Sequence, residues 1–339
     1  MNHKNTMIMS ANTMKAVVAT SYGGPEVLQF TQVAKPTPKP HEVLLRVHAS
    51  SATTADGMMR TGKPYLGRLM IGLTKPKHPI PGTGFAGEVE AVGAAVTRFQ
   101  PGDRVFGETT LGFSANAEYL AVPENGVLLK MPEHLSYAEA APFCDGAVTS
   151  WNYLKYLADL RPGQHILING ASGSLGTAAV QLAKYLGATV TGVCSTRNLG
   201  LVRSLGADEV IDYTRKDFTK QEAQYDYVFD TVGKSTFNAC KGVLTAQGVY
   251  LCPVLSLPLL WQTMRSAASN GRKAVFAATG LRTDEELRSM LEELLEIYQA
   301  GQFKIVIDRQ YPLEKLAEAH TYIAAGRKKG NVVITTANV

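Results

Sequence analysis

Two periods divide this chain. From Lys15 to Pro132 apolar and polar residues alternate in short runs, KAVVAT, EVLLRVHAS and GEVEAVG, and PKP, GGP and PGD interrupt them. Period-two runs between Gly and Pro turns predict strands. Many short strands in succession predict a small, partly closed β-barrel. From Asp145 onward the spacing changes. HILING is an apolar strand, LGTAAVQLAKYLG a helix, ATVTGVCS a strand and RNLGLVRSLG a helix. EVIDY, YDYVFDTVG, GVYLCPVL and AVFAATG predict further strands, with a helix over 234–242. Strands alternating with helices predict βαβ units on a parallel sheet. An amphipathic helix opened by Thr283 is expected over 284–300. A strand (KIVIDRQ), a helix (LEKLAEAHTYIAAG) and a last strand (NVVITT) close the chain, which is of the α/β class.

One turn in this pattern carries chemistry. After the strand HILI, Gly170-Ala171-Ser172-Gly173-Ser174-Leu175-Gly176 leads directly into a helix. Gly173 lets backbone approach a pyrophosphate with no Cβ in the way, and Gly176 lets the helix pack close to the strand. The helix start offers unpaired N–H groups to an anion. Ala171 stands where the usual fingerprint has its first glycine, so the pattern is AxGxxG. Its place between a strand and a helix, with further βαβ units following, points to a dinucleotide.

The next strand bears on which dinucleotide. Sites for NAD place Asp or Glu at its end to bond the ribose 2′-hydroxyl. Here the strand ends Val193-Cys194-Ser195-Thr196-Arg197-Asn198, with a hydroxyl and a guanidinium and no carboxylate. Arg pairs bidentately with phosphate, which favours the 2′-phosphate of NADPH. The plain alternative is that Arg197 starts a solvated helix.

Composition changes the picture only by exclusion. The 339 residues suffice for two cores. The net charge of +5 is small, and Arg327-Lys328-Lys329 is the one dense basic run, expected as a solvated helix end or a phosphate contact. No nucleic-acid partner is expected. Cys144, Cys194, Cys240 and Cys252 form no CxxC pair, which argues against a disulfide framework and a cysteine-rich zinc lobe. No run reaches the ~18 apolar residues of a membrane span. LCPVLSLPLLWQTM, broken by Pro253 and Pro258, is expected as a strand followed by a loop or short helix. Residues 1–13 are expected to be a disordered extension, and the cytosol is the default compartment.

From Met14 on, the chain resembles the medium-chain dehydrogenase/reductase superfamily, in particular its zinc-free quinone oxidoreductase (zeta-crystallin-like) branch. MKAVVATSYGGPEVL, PGTGFAGEVEAVG, FQPGDRVFG, AEYLAVP, NGASGSLGTAAVQLAK, SLGADEVIDY and GNVVI carry the likeness, in the family's order. The resemblance implies a GroES-like catalytic domain from 14–145 and 280–339, with a Rossmann NADP-binding domain inserted at 146–279. It implies a cleft between the two and a homodimer. It places Ala171, Ser172, Gly173, Ser174, Leu175 and Gly176 at the pyrophosphate turn, and Ser195 and Arg197 at the adenosine phosphate. Tyr213 would border the same phosphate, or be a sheet-edge aromatic. Gly330 and Asn331 would approach the nicotinamide, or Asn331 would be a turn residue.

The departures from the family concern metal. Zinc-dependent members ligate through a Cys three residues before an Asp, a His-Glu pair and a further Cys. At the first three of those positions this chain has Thr53 (before Asp56), Thr83 and Gly84; Cys144 lies near the fourth. A hydroxyl and a glycine do not replace imidazole and carboxylate on zinc. His41, His48, His78, His134, His165 and His320 show no ligand spacing. No metal is expected, and a developing oxyanion would need hydrogen-bond donors instead. Thr53, Thr149 in AVTSW and Tyr65 on the loop RTGKPYLGRLM, a candidate lid, are the candidates. The loop 62–79 and the segment 255–272 are expected to shape the pocket. The expected activity is NADPH-dependent reduction of a quinone or an α,β-unsaturated carbonyl, a small-molecule electrophile. The alternatives are an enoyl-thioester reductase, a zinc-free alcohol dehydrogenase, or a non-catalytic NADPH-binding protein.

Overall fold

A computed structural model describes residues 12–222 and 224–336. Most of the expected N-terminal extension lies outside the described residues, but Thr13 already pairs with Ala34 as the first residue of β1 (Thr13–Ala19). β1 forms an antiparallel hairpin with β2 (Leu28–Ala34). β3 (Glu42–Ala52) is the spine of the barrel lobe, EVLLRVHASSA, with two register shifts along β4 (Gly84–Val92). Bulges of this kind bend a strand and increase its twist. Its first half also pairs β6 (Tyr119–Pro123) and its last residues pair the C-terminal strand. Beyond β4 lie β5 (Arg104–Glu108) and β7 (Val127–Lys130). After β3, Thr53 caps helix α1 (Thr54–Thr61), and Gly62 ends it in the left-handed region at φ 61°.

The second lobe is a six-stranded parallel sheet. Its strands are β8 (His165–Asn169), β9 (Thr189–Cys194), β10 (Glu209–Asp212), β11 (Tyr225–Asp230), β12 (Leu244–Leu251) and β13 (Lys273–Val275). The order β10-β9-β8-β11-β12-β13 is doubly wound and reverses direction between β8 and β11. In such sheets ligands bind at the carboxyl ends of the strands beside the reversal, which is where the glycine turn sits. β8 reads as an unbroken apolar run because helices cover both faces of a parallel sheet. Helix α2 (Ser174–Tyr185), rich in Ala and Gly, is buried along nearly its whole length.

α3 (Leu257–Ala267) turns Leu257, Trp261 and Met264 to solvent. α4 (Asp284–Gln299) opens on the Thr283–Glu286 capping box, as its sequence signature predicts. β14 (Ile307–Pro312) and β15 (Asn331–Thr335) then return the chain to β3 of the barrel sheet. The largest buried cluster joins the lobes, linking Phe106 and Ala86 to Ile166 and Ile168 through Phe143, Trp151 and Leu291. Among the described residues no helix is long and apolar enough to cross a membrane.

Three elements differ from the periodicity. The strand expected at KIVIDRQ starts only at Ile307, because the Gln181 side chain takes both backbone groups of Lys304. The helix expected over 234–242 shrinks to Phe237–Cys240. The residues before it are held by Asp230, which accepts N–H bonds from Val232, Gly233 and Ser235. Helical backbone also runs across the expected domain junction, with π turns at Phe143–Ala147 and Asn152–Leu157.

The strand-to-helix turn predicts a stability test. A Cβ on Gly176 would stand 2.1 Å from the Gly170 carbonyl oxygen, which no backbone atom can vacate without moving the turn. Gly176→Ala should lower the urea midpoint by the equivalent of ~1–3 kcal/mol, the usual cost of overpacking. A Cβ on Gly173 meets nothing nearer than 3.4 Å. Gly173→Ala should cost at most about 1 kcal/mol, the difference between Gly and Ala at an N-cap. Equal losses would place the strain elsewhere.

Candidate active site

The glycine turn is built to present backbone. Gly170 enters it at φ 80° and Gly173 caps α2 with no side chain of its own. The N–H groups of Ser174, Leu175 and Gly176 have no intrahelical acceptor, so the helix start is an anion seat. The neighbouring side chains are already committed. The Ser172 hydroxyl accepts from Asn198 Nδ2 at 2.8 Å, and the Ser174 hydroxyl donates to the Asn331 carboxamide oxygen. Gly330 N–H donates to Ser172 O at 2.8 Å, and Gly173 and Gly330 form a parallel bridge. The first residues of the last barrel strand are therefore sewn to the glycine turn.

A cleft of about 980 Å³ opens between the lobes beside this seam. Ser172, Gly173, Ser174, Leu175, Ser195, Arg197 and Tyr213 line it, as do Thr53 and Thr149. Ala171 and Gly176 lie behind the turn, where they set its closeness to the sheet. Gly330 and Asn331 do not line the cleft; the seam uses both, with Asn331 Nδ2 donating to Val306 O at 3.1 Å. Tyr65 does not line it either. Its ring is 66% exposed and packs under Arg68, while Pro64, Gly67, Met70 and Ile71 of the same loop form the wall. Of the segment expected to shape the pocket after β12, Leu255 reaches the wall and α3 faces away.

The end of β9 forms one mouth of the cleft. Arg197 is exposed and donates to the Arg327 carbonyl at 3.2 Å, so its guanidinium is steered across the cleft mouth. Tyr213 stands beside it, 59% exposed. Asn198 is buried, and its Oδ1 has no partner among the described residues. Under the reversal of strand order, Asp230 is completely buried and fully bonded. It accepts from Asn169 Nδ2 at 2.9 Å and from the Tyr250 hydroxyl at 2.9 Å, besides the loop N–H groups. Asp230 thereby fixes the loop of Thr231 and Val232, which forms the cleft floor. Sequence reading missed Asn198 and Asp230; an Asp closing a buried strand before TVG was the available signal.

The far end of the cleft holds four ionisable groups from four elements: Asp56 on α1, Glu108 at the end of β5, Asp145 in the first π turn and Lys328 before β15. Burial raises the Glu108 carboxyl to about 8, and the charges of Asp145, Asp56 and Asp284 add to the rise. Burial and Asp56 raise Asp145 to about 7, against the pull of Ser51, Lys328 and Thr83. Burial raises Asp56 to about 6, opposed by bonds from Thr53 and by Lys328. Burial lowers Lys328 to about 8, against the attraction of Asp145, Asp308 and Asp56. Lys328 is thus part of the cleft wall rather than a solvated helix end. Glu108 and Asp145 were not singled out from the sequence, Asp56 served only as a landmark and Lys328 only as part of a basic run, because residues 56, 108, 145 and 328 share no spacing.

The geometry also redefines Thr53. Its hydroxyl accepts from Asp56 N–H and donates its one proton to Asp56 Oδ2 at 2.8 Å. That hydroxyl caps α1 and has no proton left for a substrate oxyanion. Thr149 keeps its candidacy, since its hydroxyl makes no hydrogen bond among the described residues.

The donors do not suit a zinc ion. Thr53 is committed to Asp56, and Thr83 offers only a hydroxyl. A side chain at 84 is sterically refused: a Cβ there would meet Ala141 O and Ser51 Oγ, each at 2.6 Å. Cys144 is buried, and desolvation holds its thiol well above the ordinary range, opposite to what thiolate ligation requires. Among the described residues no three His, Cys, Asp or Glu side chains stand together as a metal site.

Comparison with known proteins agrees with this architecture. Residues 39–133 match the family model for the alcohol dehydrogenase GroES-like domain, and residues 205–334 match that for zinc-binding dehydrogenase. A quinone oxidoreductase of Pseudomonas aeruginosa is 31% identical over 94% of this chain and 99% of its own. A 2-methylene-furan-3-one reductase of Solanum lycopersicum is 33% identical over 97% of this chain and 81% of its own. The structure of the quinone oxidoreductase from Coxiella burnetii superposes with a TM-score of 0.86, at 26% identity, over 96% of this chain and 100% of that one. The GroES-like lobe, the doubly wound sheet and these relatives together show that the chain belongs to the quinone oxidoreductase branch of the medium-chain dehydrogenase/reductase superfamily and is an NAD(P)H-dependent oxidoreductase.

Proposed function

We propose that this protein is an NADPH-dependent, metal-independent reductase of quinones or α,β-unsaturated carbonyls. The observation that carries the cofactor choice is the end of β9, where Ser195 and Arg197 face the cleft and residues 194–198 include no carboxylate to meet a ribose 2′-hydroxyl, while Asp217 of the same lining accepts from Thr219. An Arg in that place suits a 2′-phosphate. The α2 start would hold the pyrophosphate, and Tyr213 would flank the adenosine phosphate. When bound, the cofactor supplies hydride. The protein binds, orients and excludes water. The inner walls bear Met59, Met70, Ile71 and Leu255, an apolar surround suited to a flat, weakly hydrated acceptor. The acceptor class is supported by two relatives whose names specify a quinone and a methylene-furanone.

The cofactor reading predicts a selective loss. A guanidinium–phosphate hydrogen bond contributes ~1.5–3 kcal/mol, about 10–150-fold in affinity. Arg197→Ala should weaken NADPH by that factor and leave NADH nearly unchanged in fluorescence titrations. Equal losses for both would assign Arg197 to the fold.

Cradle and cleft mutants should separate in a second experiment. Gly173→Val places branched carbons where the pyrophosphate would lie, so NADPH binding should fail while the folding transition survives. Thr53→Ala should lose ~1–2 kcal/mol of stability as a helix cap and less than about 10-fold in single-turnover hydride transfer to a quinone. Thr149→Ala should keep NADPH affinity with a comparably modest turnover loss. Abolished transfer with NADPH still bound would make either threonine indispensable and refute the positioning account. Dialysis against a chelator should leave activity intact; stoichiometric zinc whose removal stops turnover would refute metal independence.

A further inference from the structure

We propose that Glu108 and Asp145 form a carboxyl pair that holds a proton at the inner end of the cleft and delivers it to the acceptor oxygen during reduction. The inference rests on the acceptor class proposed above. Its geometric basis is the backbone of β4 and β5. Gly84 and Glu108 are directly paired across these antiparallel strands. Side chains of a cross-strand pair project on one face. A Cβ on Gly84 would lie 3.3 Å from Asp145 Oδ2. The Asp145 carboxyl thus occupies the face onto which Glu108 projects, in room that exists because residue 84 has no side chain. Both residues line the cleft, as does the buried Cys144, while Phe143, Gly146 and Ala147, the other residues of the Asp145 π turn, are buried away from it. Gly146 abuts the first residue of α2, so the turn that aims Asp145 is also packed on the anion seat.

A second observation shows that the pair is incomplete by itself. Asp145 Oδ2 is buried, with the Ser51 and Thr83 hydroxyls as its polar neighbours but no well-formed hydrogen bond to it among the described residues. An ionised carboxylate left in that state would be costly. A protonated carboxyl, or one about to share a proton with a neighbour, resolves it. The surrounding charges act in the same direction. Asp56 on α1 and Asp284 at the start of α4 face Glu108, and Cys144 lies beside both carboxyls as a neutral thiol. Among the described residues Lys328 is the cation that acts on Asp56 and Asp145, and Asp308 in β14 shares its attraction. One ammonium among three carboxyls offsets one negative charge. That leaves two carboxyls favoured as neutral acids, Glu108 and Asp145, whose titration is a joint property.

The electron and proton count closes. An α,β-unsaturated carbonyl receives hydride at its β-carbon, forming a C–H bond as the C=C electron pair moves to make an enolate oxygen. The carboxyl O–H breaks and its proton passes to that oxygen, leaving a carboxylate that solvent reprotonates. The acceptor gains two electrons and the nicotinamide is oxidised. A quinone follows the same count, but its product oxygen is a weaker base and needs the proton less urgently.

The test uses the full-length protein and the variants Glu108→Gln, Asp145→Asn and the double substitution. NADPH affinity unchanged within about threefold establishes that each variant is folded. On a methylene-furanone, kcat should fall about 100-fold in at least one single variant, in the range of general-acid contributions. On a benzoquinone the loss should stay below about tenfold. Wild-type kcat on the furanone should decline as pH rises through about 7 to about 8, because the acid form is the active one, and the variants should lose that decline. Infrared difference spectra of the cofactor-free protein give a readout apart from turnover. A protonated-carboxyl C=O band should be present at neutral pH and change in Glu108→Gln or Asp145→Asn. Furanone turnover within about threefold of wild type in all three variants overturns the proposal alone, with the acceptor reading intact. Wild-type protein that reduces neither acceptor overturns both. If the variants do not fold, the wild-type protein decides: a flat pH profile or no protonated-carboxyl band overturns the proposal.

Discussion

The seam between the glycine turn and the last barrel strand is the constraint on which the rest depends. Gly330 N–H bonds to Ser172 O, Gly173 bridges Gly330, and the Ser174 hydroxyl bonds to the Asn331 side chain. Each contact joins the doubly wound sheet to the barrel within a few residues of the anion seat. β15 pairs with β3, and β3 leads straight into the Thr53 cap and Asp56. A displacement at the seam is therefore passed along β15 and β3 to the far end of the cleft. The seam is made of backbone and short side chains, which leave little rotameric slack. Gly330 is required there: it sits at φ 73°, and a Cβ would stand 2.3 Å from the Val306 carbonyl oxygen.

What could be read in the sequence was what is local. A strand, a glycine turn and a helix are contiguous, so their order and their anion seat were legible. The doubly wound sheet followed from alternation of strands and helices. The position of Arg197 at the cleft was legible because it lies a fixed step from the end of β9. Residues whose roles depend on partners far along the chain were not. Thr53 reads as a cleft hydroxyl until its proton is found on Asp56. Gly330 and Asn331 lie in the expected neighbourhood, but the Gly330 N–H and the Asn331 carboxamide oxygen are spent on the turn some 157 positions earlier, and the Asn331 donors on Val306 O. Tyr65 falls on the right loop and faces outward, since Arg68 offers its ring a cation. A side chain's direction within an irregular loop has no period from which to predict it.

The non-ligating residues at 53, 83 and 84 and the presence of the carboxyl cluster have one electrostatic explanation. A zinc ion brings two positive charges to the inner end of a cleft, where they lower the pKa values of nearby acids. At those positions this chain has two hydroxyls and a glycine, and the surrounding carboxyls lose any such cation. Burial is then opposed only by Lys328 and by hydroxyl and backbone groups such as those of Thr53, Ser51 and Thr83. The acids move toward neutrality instead of away from it. Gly84 links the two outcomes. Its missing side chain cannot ligate a metal, and the same vacancy admits the Asp145 carboxyl to the face of Glu108. Gly84 thus offers no side chain for metal ligation and, in the proposal made above, leaves room for a proton-holding carboxyl pair.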